Sequence, residues 1–157
     1  MRTLALRGGN SHTLGLRRLA GTGFTATLAA MAATTLAAAL ARAVGVDFEV
    51  PDRGETIPVS GIAVVTGFFS AVGVVLAATL LRWSARPAEC FVRTAVTLTA
   101  ISLVPPLVSA ASAATIAALI GLHLVAATVM IPLLTRSLRA RAQASAAANA
   151  SPSAVRQ

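Results

Sequence analysis

SGIAVVTGFFSAVGVVLAATLL, residues 60–81, is a run of 22 residues without one charge, closed by Arg82. About 20 apolar residues in a helix cover the ~30 Å of hydrocarbon in a bilayer, so this run has the length of one crossing. A barrel strand would alternate over ~10 residues, whereas this run is apolar on every face. It reads as a transmembrane helix.

Three more runs flank it. Upstream, Leu19–Ala41 spans 23 residues between Arg18 and Arg42 and is the least hydrophobic of the four, being rich in Ala and Thr. Downstream, TAVTLTAISLVPPLVSAA starts after Arg93 and predicts a span over about 94–110, with Pro105 and Pro106 near its far end. The last, over about 113–135, contains IAALIGLHLVAATVMIPLL and stops at Arg136. The whole chain of 157 residues is 56% hydrophobic and only 11% charged, which is too little charge to cover a soluble surface. Its mean hydropathy of +0.79 agrees.

The net charge of +8 would in a soluble chain suggest nucleic acid. Here the basic residues, all Arg, flank apolar runs instead of forming a stripe, and with no Tyr and one Trp there is little to stack on bases. No nucleic-acid partner is expected. The flanks instead set orientation. Arg2, Arg7, Arg17 and Arg18 precede the first span. Arg82, Arg86 and Arg93 lie between the second and third, and Arg136, Arg139, Arg141 and Arg156 follow the fourth. Eleven of the 13 arginines thus fall on one side. The other side has Arg42 and Arg53 against Asp47, Glu49, Asp52 and Glu55. Basic flanks are retained in the cytoplasm, which places both termini there and predicts a multi-pass protein of a bacterial plasma membrane. A basic, Ala-rich start with Ala39-Leu40-Ala41 also resembles a secretory signal, but 23 residues exceed the usual 7–15-residue core, so the first run reads as a retained span.

Three segments complete the layout: a basic cytoplasmic lead (1–18), the four-helix domain (19–135) and a tail (136–157) whose Ala, Ser, Asn and Pro predict disorder. Between the first two spans, Val46-Asp47-Phe48-Glu49-Val50 alternates with the period of a half-buried strand. Pro51-Asp52-Arg53-Gly54 supplies turn chemistry and Thr56-Ile57-Pro58-Val59 can return as an edge strand. The expectation is therefore an all-α membrane protein: a four-transmembrane-helix bundle with a short external β-hairpin-like loop between helices 1 and 2.

Few residues carry chemistry. His123 is the one ionisable side chain deep inside a predicted span, and such a group is functional by default when it has a partner. No Asp or Glu lies in the four runs, so a neutral imidazole hydrogen-bonded to a hydroxyl or carbonyl across the bundle is the favoured reading. Small residues recur every four positions in three helices: Ala26, Ala30, Thr34, Ala38; Ala63, Gly67, Ala71; and Ser109, Ala113, Ala117, Gly121. Such stripes let helix backbones approach closely, within the bundle or against a second copy. Pro132 and Pro105-Pro106 remove helical hydrogen bonds near span ends, which favours termination and re-aiming. Cys90 is solitary, so no disulfide forms within the chain. No nucleotide loop, zinc-protease motif or Ser/His/Asp set is present, and no catalytic residue, metal or cofactor is assigned.

The basic lead and Ala-rich first span, GVDFEV (45–50) and Leu81-Arg82-Trp83 form one half of a pattern; Val104-Pro105-Pro106-Leu107 and AASAATIAALIGLHLVAATVMIPLL (110–134) form the other. Over about 15–140 this resembles a family of small actinobacterial four-pass membrane proteins catalogued as domain of unknown function 6069. The resemblance implies four-pass topology and no activity, and marks His123 and Pro132 as characteristic positions. Together these readings predict a non-enzymatic structural or accessory membrane protein, partnered by the lipid bilayer and by another copy or a different membrane protein. The alternative is a small oligomeric transporter or channel with His123 near the pathway.

Overall fold

The computed structural model describes residues 3–50 and 55–150, with side chains over 20–49 and 56–147. Its elements are α1 (Thr3–Ala43), β1 (Glu49–Val50), β2 (Glu55–Thr56), α2 (Val59–Trp83), α3 (Pro87–Ser102), α4 (Val104–Val108) and α5 (Ala113–Ala150). Four stretches are long and apolar enough to cross a membrane: Ala20–Ala43, Val59–Trp83, Pro87–Val108 and Ala113–Ala147.

α1 packs on α2 and α5, and α3 packs on the same two helices from the opposite side. α2 and α5 also touch each other, which leaves α1 and α3 at the outer corners. Two packed layers hold the bundle. Near the arginine-rich end, Ala26 and Ala30 of α1, Ala77 of α2, Phe91 of α3 and Met130, Leu134 and Leu138 of α5 form one. At the opposite end Ala38, Phe48, Ile62 and Leu122 form the other. The chain covers little of its own apolar surface: Phe24, Phe68, Phe69 and Val75 are all exposed. In hydrocarbon that surface carries no hydrophobic penalty, because lipid tails are as apolar as the side chains.

Local chemistry explains the helix ends. α1 stops at Gly45, whose φ of 93° is open to glycine at little cost. The Gly45 amide donates to the Arg42 carbonyl at 3.0 Å and the Val46 amide to the Ala41 carbonyl at 3.0 Å, the paired bonds of a Schellman cap. α5 starts where the Ser112 hydroxyl accepts from the Thr115 amide at 3.2 Å. α3 is interrupted at Leu103, before Pro105 and Pro106, and the short α4 follows directly within the same candidate span.

The structure corrects three expectations. The hairpin over 46–59 is not supported. Pairing is confined to Glu49 with Thr56 and Val50 with Glu55, and residues 46–48 are not strand. Phe48 is the reason: its φ of 51° breaks the extended run, and its ring is fully buried in the bundle end. Burying a Phe, worth about 1.5–3 kcal/mol, offsets a left-handed backbone costing about 1–3 kcal/mol. The expected turn at Pro51–Gly54 lies outside the described residues.

Secondly, 136–150 is not disordered but continues α5. Alanine is the best helix former, extension of an existing helix needs no new nucleus, and fully buried Leu138 anchors the extension. Pro132 accordingly does not end the helix. Thirdly, the third span begins at Pro87 and not after Arg93, so Arg93 lies within the helix. Pro87 at the first helical position and Glu89 in the first turn both favour the earlier start.

Two glycines separate close approach from open space. A Cβ at Gly23 would lie 2.6 Å from Val74 Cγ1, a branched side chain with little freedom to move. At Gly67 it would lie 2.9 Å from Met31 Sδ, near the adaptable end of a methionine. Gly23→Ala is therefore expected to destabilise the bundle by about 1–3 kcal/mol, and Gly67→Ala by about 1 kcal/mol or less. Thermal unfolding in detergent checks the order, and the reverse order would contradict this packing.

Candidate functional site

The small-residue stripe of α1 faces inward along its whole length. Ala26, Ala30, Thr34 and Ala38 are each no more than 1% exposed. Thr34 is more than a small residue. Its hydroxyl donates to the Ala30 carbonyl at 2.9 Å and lies 3.2 Å from the Thr66 hydroxyl of α2. A hydroxyl pair in an apolar interface favours one register of α1 on α2, since sliding either helix would cost both hydroxyls this contact. Gly67, one residue beyond Thr66, gives the neighbouring Met31 its space. Spacing alone showed Thr34 as one of the stripe; the Thr66 partner needed the relative rotation of two helices.

α5 differs. Ala113 and Ala117 are exposed and a Cβ at Gly121 would meet nothing within 4 Å, so the stripe expected from Ser109 to Gly121 does not pack the bundle. The inward residues there are Thr115, Leu122 and Met130. His123 is half-buried, with Nδ1 2.8 Å from the Leu119 carbonyl oxygen of its own helix. That carbonyl can only accept, so Nδ1 is the donor in this contact. This is the hydrogen bond His123 makes among the described residues, and it runs along the helix instead of across the bundle. Pro132 is exposed, and three residues later the buried Thr135 hydroxyl has no hydrogen-bond partner among the described residues. His123, Pro132, Gly121 and Gly67 are thus not brought together into one cluster.

The structure gathers a different set at the α1–α2 loop. The Arg42 guanidinium donates to the Ile57 carbonyl and lies 5.9 Å from the centre of the Phe48 ring, tying the loop back onto the end of α1. Beside it, Asp47, Glu49, Ser112 and Thr115 line an open depression. Two carboxylates and two hydroxyls form an acidic, oxygen-lined surface, but among the described residues no group of three or more His, Cys, Asp or Glu side chains could hold a metal. The acidic loop was visible in the chain order; its meeting with the start of α5 was not. At the opposite end, Cys90 Sγ accepts from the Ser84 hydroxyl at 3.3 Å and fastens the α2–α3 turn.

The Thr34–Thr66 contact is testable by a double-mutant cycle with Thr34→Val and Thr66→Val. The expected coupling is about 0.5–1.5 kcal/mol in detergent unfolding, the range of hydrogen bonds between membrane helices. A coupling of zero would remove it as a register device.

Comparison with known sequences adds one match. The profile of a family of unknown function, DUF6069, matches residues 14–140, covering all four candidate spans up to the extension of α5. No curated protein and no solved structure matches the chain. With most of its length matched, the chain belongs to the DUF6069 family.

Proposed function

We propose that the chain is a non-enzymatic four-span membrane protein, a structural or accessory subunit of a bacterial plasma membrane. Both termini lie in the cytoplasm and the α1–α2 loop lies outside. The observation that carries this reading is the sorting of charge along the folded helices. The arginines at 17, 18, 82, 86, 93, 136, 139 and 141 belong to the end where α1 enters and α5 leaves, whereas Asp47, Glu49 and Glu55 share the other end with Arg42. That asymmetry is the one that holds a membrane protein with its basic end inside. The accessory role is supported by interior helix contacts made almost wholly of apolar side chains, with one threonine pair, which leave the outer faces for lipid or a partner.

A second reading, a small oligomeric transporter or channel, is favoured by His123. Its half-buried ring, whose Nε2 makes no hydrogen bond among the described residues, would suit a polar group on a neighbouring copy.

Native mass spectrometry of the detergent-solubilised chain separates the two. A full-length monomer is expected; a stable homo-oligomer would overturn the accessory reading in favour of the second. Orientation is tested with Val44→Cys, at the 82%-exposed residue beside the loop, in a Cys90→Ser background. A membrane-impermeant maleimide should label it on intact cells. Labelling only after permeabilisation would invert the topology.

A further inference from the structure

α2 and α3 are joined by a tight turn in which the Ser84 hydroxyl accepts from the Arg86 amide at 3.2 Å and the Ser84 amide donates to the Leu80 carbonyl at 2.9 Å. Trp83 stands 78% exposed at its start. Arg86 is paired with Glu89 at 3.5 Å. Arg82 and Arg93, both exposed, form no ion pair among the described residues.

Arg93 is the unusual one. It lies six residues inside α3, about 9 Å along the helix axis from Pro87. Phe91 and Ala95, which bracket it on the inner face, pack in the same cluster as Ala77, Met130 and Leu134. Its backbone is therefore level with the apolar interior of the bundle, while its side chain leaves the outer face, where lipid would lie. A guanidinium without a counter-charge is costly in hydrocarbon, and a long arginine side chain relieves that cost by reaching back to the interface. The group waiting there is a lipid phosphate, which the guanidinium fork can bind through two hydrogen bonds. Arg82 flanks the same turn from α2, and the Trp83 ring suits the headgroup layer beside it.

We propose that Arg82 and Arg93, on either side of the α2–α3 turn, bind the phosphate of an anionic phospholipid headgroup. Two unpaired positive charges at one turn disfavour a choline, so the favoured headgroup carries no cation of its own. The proposal rests on the membrane-spanning reading but not on which end faces the cytoplasm.

The test is native mass spectrometry of the full-length protein in micelles containing equal phosphatidylglycerol and phosphatidylcholine with identical acyl chains. The wild-type chain should retain phosphatidylglycerol over phosphatidylcholine by about tenfold or more, and Arg82→Gln with Arg93→Gln should reduce this to about twofold or less. Arg139→Gln, an exposed arginine at the same end outside the turn, should leave the preference unchanged. The proposal is overturned if the wild type shows no preference, if the double variant keeps it, or if Arg139→Gln loses as much. Should the double variant not fold, the two single variants decide, each expected to lower the preference about threefold; no change in either also overturns it. Inverted topology would leave this result untouched, because micelles have no sides. A chain that stays soluble without detergent would instead refute the membrane-spanning reading itself.

Discussion

Within about 30 Å of hydrocarbon no water is present to bond a backbone amide or carbonyl, so each must find its partner inside the chain. For this sequence that constraint comes before all others. It makes the apolar runs helical, and it confines irregular backbone chiefly to the ends of the bundle. Around the break at Leu103 the Thr99 carbonyl accepts from the Leu103 amide at 3.2 Å and from the Ser102 hydroxyl at 2.7 Å, just before two prolines that have no amide to offer. Among the described residues the one buried hydroxyl without a partner, that of Thr135, lies three residues after Pro132, where the helical ladder has already lost a donor.

Once the helices exist, packing between them cannot draw on the hydrophobic effect, because lipid is an equally good solvent for leucine. Close approach takes its place. α1 supplies it with Ala26, Ala30, Thr34 and Ala38, and Gly23 lets Val74 of α2 come nearer than any side chain would allow. The Thr34–Thr66 pair then fixes what apolar contacts alone would leave free to slide. The two ends are closed differently: Phe48, held under Arg42, plugs the loop end, and Leu134, Leu138 and Phe91 fill the arginine-rich end.

The spans were legible because length and charge-free runs are properties of the chain itself. Each of the four expected runs overlaps one of the four stretches long and apolar enough to cross a membrane. The errors fell where a local rule met a tertiary context. A charge was read as a boundary at Arg93, yet proline and glutamate at the helix start outweighed it. Low complexity after Arg136 was read as disorder, although alanine needs only an existing helix to extend. Alternation over 46–50 was read as a strand, but burying one aromatic ring favoured a left-handed kink. The stripe ending at Gly121 had the same spacing as that of α1 and faces outward all the same. Spacing specifies a face; it does not specify what that face meets.

The sequence by itself determined the number of apolar runs and the asymmetry of charge, since each follows from free energies summed locally along the chain. Only the tertiary structure decided which small-residue stripe is an interface, that Thr34 finds Thr66, that His123 bonds its own helix, and that Arg93 lies level with packed apolar side chains. Those outcomes depend on the rotation and depth of one helix relative to another. Rotation and depth are set by contacts between residues far apart in the chain, and no local pattern encodes them.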